Sequence, residues 1–472
     1  MNATPQHIGA PDTVAARVLT NAIVIPMADD LYWFKGWDGI GTDGRIAGLG
    51  PGDPPPEAVA GAIVEDVGGA FLAPGFVSAH SHLFTAGMRG MTPGEPLYGW
   101  VVVQAQLMSG TDLDDVYWMT LHSCLDFLDN GITAAYNFTS TRLTGGYDAV
   151  NDRRTVVGEQ PPEYVYRQID AGRDAGLRVA NAIRLDSDLQ PVDRAFEVFG
   201  QTVEHIRTSV PAALDLGPSV FGAQQWSDSP ETAQHEARAM DAFDLGNQAH
   251  FLETSEALDQ QRKKFRWYEE SGAMRPGFLF GHFVHPDDEM ARTAAATGSG
   301  MVWQPTSNGR LASGVANIPR FRELGMPVGV GLDDQSCTDI SDPFQNMRIG
   351  IYTQRAVHRD AAILMPRDMI RLHTLGSAEA LGVADRLGSI EVGKYADLLV
   401  VDPSDPDTGP IWDVYAHYAF ACGLRNLTRV YVGGRLASER GRSTHPLAGQ
   451  ACLEVDRRVR LAAERVGLRL AW

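Results

Sequence analysis

Two histidines one residue apart, His80 and His82, close the stretch PGFVSAHSH, behind an apolar run opened by Pro74 and Gly75. Side chains two apart on a strand point to one face, so the pair would project together from a strand's carboxyl end. Neutral imidazoles side by side suit zinc and its neighbours. Among thirteen histidines such a triplet is close to what chance supplies, so the pair needs company. Later stretches provide it: His250 with Glu253 three residues on in NQAHFLETS, His282 and His285 in FLFGHFVHP, and Asp333 with Asp334 in VGVGLDD. A catalytic zinc keeps about three protein ligands and an open position for water. Taken singly, each residue has a plainer reading, since a strand-end histidine is often only hydrogen-bonded and paired aspartates after a strand often cap a helix. His122, His205, His235 and His358 fall in helical patterns and His445 in a late loop, where surface or packing roles fit.

What joins the candidates is the elements that carry them. The segment DDVYWMTLHSCLDFLDNG sets Trp118, Leu121, Leu125 and Leu128 at steps of three and four, Gly131 stands where a helix ends, and ITAAY follows as a buried strand. The same helix-then-strand unit recurs into LRVANAI, LDLGPSV, NQAHFL, FLFGHFV, GMVWQPT and PVGVGLDD. With FLAPGFVSA counted first, eight strands alternate with helices, which predicts an α/β chain built on a (β/α)8 TIM barrel. Every candidate then sits at a strand's carboxyl end, the face where barrel enzymes carry their chemistry. Short apolar runs broken by Gly and Asp before residue 73, and again in LGSIEVGKYADLLVVD and RVYVGGRLASERGR, predict one small β-sandwich domain formed from both chain ends. The expected boundaries are 1–72 and 385–472 for that domain, the latter with a terminal helix, and 73–384 for the barrel.

Composition narrows the function. A chain of 472 residues exceeds one ordinary core, which stops growing near about 250–300 residues. Apolar residues at 44% and charged residues at 21% describe a globular protein. The balance of 40 basic to 59 acidic residues, net -19 and spread along the chain, would repel a phosphate backbone, so no nucleic-acid partner is expected. Cys124, Cys337, Cys422 and Cys452 are scattered without a CxxC pair, as expected for a reducing cytoplasm. No basic n-region with an apolar h-region and no long apolar run is present, which predicts neither export nor a membrane partner. Neither GxGxxG nor GxxxxGK[ST] occurs in the right setting, so a dinucleotide or P-loop reading lacks its phosphate cradle.

In order along the chain, HxH after PGFVSA, then HFLE, GHFVH, QPTSNGRLASG, VGLDD and LGSIEVGKYADLLVVD resemble the motifs of the metal-dependent amidohydrolase superfamily. The resemblance runs from about residue 15 to 436. Within the superfamily it is similar to the cytosine-deaminase and chlorotriazine-hydrolase-like branch, whose members hold one metal. It implies one divalent ion, zinc first and cobalt, manganese or iron otherwise, held by His80, His82, His250 and Asp333. It further implies that Glu253 is the acid of the HxxE motif and that His282 stands beside the activated water. His285 and Asp334 have no assigned role. Binuclear members carry a lysine bridging two metals at the fourth strand, but Lys35, Lys263, Lys264 and Lys394 are the only lysines here and none lies near LDLGPSV. Members are commonly oligomeric, so a homo-oligomer is expected.

The implied reaction is hydrolysis at an sp2 carbon with a nitrogen leaving group: Asp333 as base, Glu253 as acid, His282 stabilising the oxyanion. The small-molecule substrate could present the carbonyl of an amide, urea or (thio)carbamate, or the amino-bearing carbon of a heterocycle, as in a deaminase. Leu332 and Asp334 depart from the pattern of ring deaminases, a Thr before the aspartate and a Gly or Asn after it. That departure favours the carbonyl reading and a likeness to phenylurea and molinate hydrolases. Phe84, Trp100, Phe221 and Trp303 are candidates for an apolar pocket, and Arg184 and Asn308 for substrate contacts. A non-catalytic scaffold of this type would typically have lost ligands, whereas every position is kept here, and an isomerase or decarboxylase is a comparably minor alternative. Purified protein is expected to carry about one divalent ion per chain and to lose activity on chelation. Full activity in a metal-free preparation would contradict this reading.

Overall fold

The computed structural model describes residues 8–9, 15–148, 153–404 and 406–471. Eight parallel strands form the central sheet: β1 (Phe76–His82), β2 (Ile132–Phe138), β3 (Arg178–Arg184), β4 (Asp215–Gly222), β5 (Gly246–Phe251), β6 (Phe278–His282), β7 (Gly300–Trp303) and β8, in two pieces, Val328–Val330 and Asp333–Asp334. Their order in the sheet is their order in the chain. The two pieces of β8 close it. Val328–Val330 pairs with β7, Val328 opposite Met301, while Asp333–Asp334 pairs with β1, Asp333 opposite Ser81. Burial of nearly every residue in β1, β2, β3, β6 and β7 explains their continuous apolar runs, as expected of strands covered on both faces. The barrel expected from the eight alternating units is thus present.

The first predicted strand divides into two. Phe71–Pro74 pairs antiparallel with Leu398–Val401, and only from Phe76 does the chain enter the barrel. Pro74 and Gly75 mark the change of sheet.

Contacts divide the chain into two compact units, one of residues 1–77, 126–134 and 342–445, the other of residues 78–125, 135–341 and 446–472. The first carries a ten-stranded, mainly antiparallel sheet in which Leu398–Val401 lies between Phe71–Pro74 and Leu427–Val432. Strands from both chain ends therefore make one sheet, as the recurring Gly- and Asp-broken runs suggested. Its core includes Leu19, Val24, Ile40, Leu72, Leu398, Val400 and Tyr431. The second unit holds every candidate catalytic residue. In it the terminal helix Ala448–Arg465 packs Val455, Val459 and Ala462 against Phe84, Met88, Leu107 and Met108. Arg458 and Arg465 fix it by ion pairs to the buried Asp115 at 3.0 and 2.6 Å. No helix among the described residues is long and apolar enough to cross a membrane.

Asp38, in the strand Phe34–Gly41 of the first unit, is fully buried, and neither carboxyl oxygen has a hydrogen-bond partner among the described residues. Burial pushes its pKa well above 3.8. The folded state therefore keeps this proton at pH values where the unfolded chain has released it, and stability drains as pH rises above about 4. Asp38→Asn is expected to leave stability near its wild-type value at pH 4 and to raise it by about 1–3 kcal/mol at pH 8. Denaturation at both pH values tests this, and an equal effect at the two would contradict it.

Candidate active site

His80 and His82 leave β1 on one face, two residues apart, and meet His250 from β5, His282 from the end of β6 and Asp333 from β8. The Nε2 atoms of His82 and His250 lie 3.0 Å apart. Asp333 Oδ1 lies 3.4 Å from His80 Nε2 and 3.7 Å from His82 Nε2, and its Oδ2 lies 3.8 Å from His282 Nε2. Glu253, just past β5, brings Oε2 to 3.4 Å from His282 Nε2. All six residues named for chemistry are thus together at one end of the barrel.

The polar inventory of this cluster asks for a cation. Among the described residues, His80 Nε2 is buried without a hydrogen-bond partner. Between His82 and His250 two ring nitrogens share one short gap that at most one proton can fill. Bonds of about 2.0–2.1 Å to a tetrahedral zinc hold donor atoms about 3.3–3.5 Å apart, and the spacings here bracket that value. Overlapping groups of three, His80 with His82 and Asp333, and His80 with His250 and His282, each place one ligand atom per residue within 4.8 Å of the others. The residues fit a divalent ion.

Electrostatics agree with the geometry. Burial pulls the pKa of His82 and of His282 down to about 3, with Asp333 only partly opposing, and takes that of His250 well below 6.5. Burial thus favours the neutral form of these three imidazoles, the form that ligates metal. Burial alone would raise Asp333, but His282, His80 and His82 outweigh it and hold the carboxyl well below the usual range. Glu253 moves the other way, pushed well above 4.5 by burial and then by the charges of Asp333 and Asp334.

Neighbours behind the ring nitrogens set the tautomers. Gln248 donates its Nε2 to Ala79 O at 2.9 Å, which turns its Oε1 toward His80 Nδ1 at 2.6 Å. His80 therefore carries its proton on Nδ1 and presents a lone pair from Nε2. Asn308 does the reverse: its Nδ2 donates to His282 Nδ1 at 2.9 Å, so Nε2 of His282 carries the proton. Ser307 donates to Asp333 Oδ2. His282 and Asp333 both sit in the left-handed region, φ 69° and 64°, at a cost of about 1–2 kcal/mol each for residues with a Cβ. Close approach also requires Gly281 and Gly331, where a Cβ would come within 2.9 Å of His80 Cε1 and 2.6 Å of His80 Cβ.

A cavity of about 150 Å³ opens over the cluster, reaching His82, His250, Glu253, His282 and Asp333. One wall is the helix α1 (Leu97–Ser109), which contributes Leu97, Trp100, Gln104 and Met108. Another is a hairpin, Leu143–Asp148 and Arg153–Glu159, which contributes Leu143, Thr144 and Arg154. Phe84, Phe221 and Trp226 complete an apolar lining. Of the pocket residues expected from sequence, Phe84, Trp100, Phe221 and Arg184 line this cavity. Trp303 is 1% exposed and is not among the lining residues, and Asn308 lies behind His282 instead of facing the cavity. Arg184 is bound to Asp186 and Asp188. His285 Nε2 meets Ser313 O at 2.6 Å. Asp334, raised to about 7 by burial and by Asp333, accepts from Gln104 Nε2 at 2.7 Å and so anchors α1.

Sequence reasoning missed Gln248, Trp226, α1 and the hairpin. Gln248 had a signal, a polar residue two before His250 on a buried strand and so on the same face. Helix α1 had little, because LYGWVVVQAQLMS is apolar with weak helical periodicity.

A closed barrel with an imidazole and carboxylate cluster at its strand ends is a setting for metal-assisted hydrolysis. The chain belongs to the Amidohydrolase family, whose model matches residues 71–437. It is 26% identical over 464 residues to a 5-methylthioadenosine/S-adenosylhomocysteine deaminase of Desulforudis audaxviator (strain MP104C), covering 96% of this chain and 98% of the relative. Among solved structures it is similar to an adenosine deaminase from Xanthomonas campestris with bound zinc, with TM-score 0.78, 21% identity and coverage of 95% and 100% of the two chains. It is also similar to atrazine chlorohydrolase TrzN from Arthrobacter aurescens TC1 complexed with zinc, with TM-score 0.80, 20% identity and coverage of 94% and 100%.

Gln248→Leu removes the acceptor that fixes the His80 tautomer. Zinc affinity, measured by competition with a chromophoric chelator, is expected to fall about 10–100-fold with the fold intact. Unchanged affinity would contradict the role given to Gln248.

Proposed function

We propose that this protein hydrolyses an exocyclic carbon–nitrogen bond on an aromatic nitrogen heterocycle with a largely apolar body, releasing ammonia or a small amine. The observation that carries this reading is the pair of carboxyls whose proton affinities are driven apart around His282. Burial raises the proton affinity of Glu253 while the neighbouring imidazoles lower that of Asp333, which separates an acid from a base within one apolar pocket. Addition of water to a ring carbon needs a proton on the neighbouring ring nitrogen, and Glu253 is placed to give it. Hydrolysis of an amide or urea carbonyl has no ring nitrogen to protonate.

The four ligands proposed are His80, His82, His250 and Asp333, and the ion proposed is zinc, whose contribution is to make hydroxide available near neutral pH. Asp333 accepts the proton of the attacking water and passes it to the departing nitrogen. His282 donates from Nε2 to the oxygen that gains charge at the attacked carbon, and Asn308 keeps the proton on that nitrogen. Trp100, Trp226, Phe84 and Phe221 enclose the ring and exclude water. Relatives named as deaminases of adenine nucleosides and as a chlorohydrolase of atrazine support a heterocyclic substrate.

The carbonyl of an amide, urea or thiocarbamate remains the competing outcome. Its motivation in the sequence was Leu332 and Asp334, and neither lines the cavity. Leu332 bonds its backbone N–H to Ser78, and Asp334 holds Gln104.

A panel of amino-heterocycles, phenylureas and thiocarbamates read by mass spectrometry tests the proposal. Ammonia or amine release from heterocycles is expected, and Glu253→Gln should lower kcat about 10²–10⁴-fold at unchanged metal content. Turnover confined to ureas, thiocarbamates or amides would overturn it.

A further inference from the structure

Two arginines line the cavity away from the metal cluster, and they differ in one respect. Arg184, 6% exposed, spends its guanidinium on Asp186 and Asp188. Arg154, on the hairpin, makes one hydrogen bond, Nη2 to Leu143 O at 2.9 Å, and no carboxylate pairs with it among the described residues. A guanidinium has five N–H donors in a planar fork. Four of those on Arg154 have no protein acceptor among the described residues, although the side chain is partly buried.

Several other polar groups of the wall are already committed. Ser109 donates to Gln106 O at 2.7 Å, Thr139 to Ala182 O at 2.9 Å and Thr141 to Asp186 at 2.7 Å, while the Gln104 amide is given to Asp334. Apart from the metal cluster, the described residues offer a ligand a largely apolar lining and the fork of Arg154. Such a fork matches the two oxygens of a carboxylate, with two parallel charge-assisted bonds.

We propose that Arg154 is a substrate-recognition residue, and that it holds a carboxylate on the substituent of the substrate remote from the carbon that is hydrolysed. The inference rests on the reading above in taking this cavity as the substrate's place. The hairpin then sets specificity, because it brings to a largely apolar wall a guanidinium that no carboxylate pairs with among the described residues. The class selected is an aromatic or heterocyclic body with an acidic side arm.

Calorimetric titration of the zinc-loaded protein with 3-phenylpropionate and with 3-phenylpropionamide tests the proposal without turnover. Wild type is expected to bind the carboxylate about ten-fold or more tightly than the amide. Arg154→Met should abolish that preference while leaving amide affinity and zinc content unchanged, and Arg154→Lys should restore part of it. If Arg154→Met binds the carboxylate as tightly as wild type, the anion sits on the ion or elsewhere and the proposal fails. Absence of carboxylate preference in wild type also overturns it. A preference lost in Arg154→Met, in an enzyme that turns over no heterocycle, would keep this inference and remove the proposed reaction.

Discussion

The site depends on one electrostatic constraint: ring nitrogens converge on the buried carboxylate of Asp333 without enough protons to satisfy them. His80 Nε2 has no hydrogen-bond partner among the described residues, the facing nitrogens of His82 and His250 compete for one hydrogen, and the carboxyl of Asp333, held toward its charged form, lies beside them. In a low-dielectric setting such unpaired polar atoms are costly. A divalent cation relieves the deficit at every one of these atoms. The arrangement is therefore built for an occupant, and the fold supplies the stability that the site itself consumes.

Much of the surrounding chain serves that convergence. The two pieces of β8 pair on opposite sides, so Asp333 arrives beside the strand that carries His80 and His82. Gly281 and Gly331 clear the space that His80 needs, and left-handed backbone at His282 and Asp333 aims both side chains inward. Gln248 and Asn308 then sort the histidines by tautomer. One neighbour makes His80 a lone-pair donor, the other makes His282 an N–H donor, and two identical residue types acquire different tasks.

The barrel and its chemical residues were legible because they obey strong local rules. Continuous apolar strands alternate with amphipathic helices, and His80, His82, His250, His282 and Asp333 lie at or near the carboxyl ends of strands. The walls were less legible. Helix α1 lacks a polar face to reveal its period, and the hairpin after β2 is rich in Gly and Thr without the alternation of a half-buried strand. Which arginine is open could not be read at all, since it depends on Asp186 and Asp188 folding back onto Arg184. Leu332 and Asp334 looked like specificity residues from their place in the motif, yet their hydrogen bonds serve Ser78 and α1.

That the cluster is a cage for one ion can be tested directly by anomalous diffraction at the zinc edge from crystals of the zinc-loaded protein. A single strong peak enclosed by His80, His82, His250 and Asp333 is the result this account requires. A map with no peak among those residues, or with the ion held elsewhere while the enzyme turns over its substrate, would contradict it.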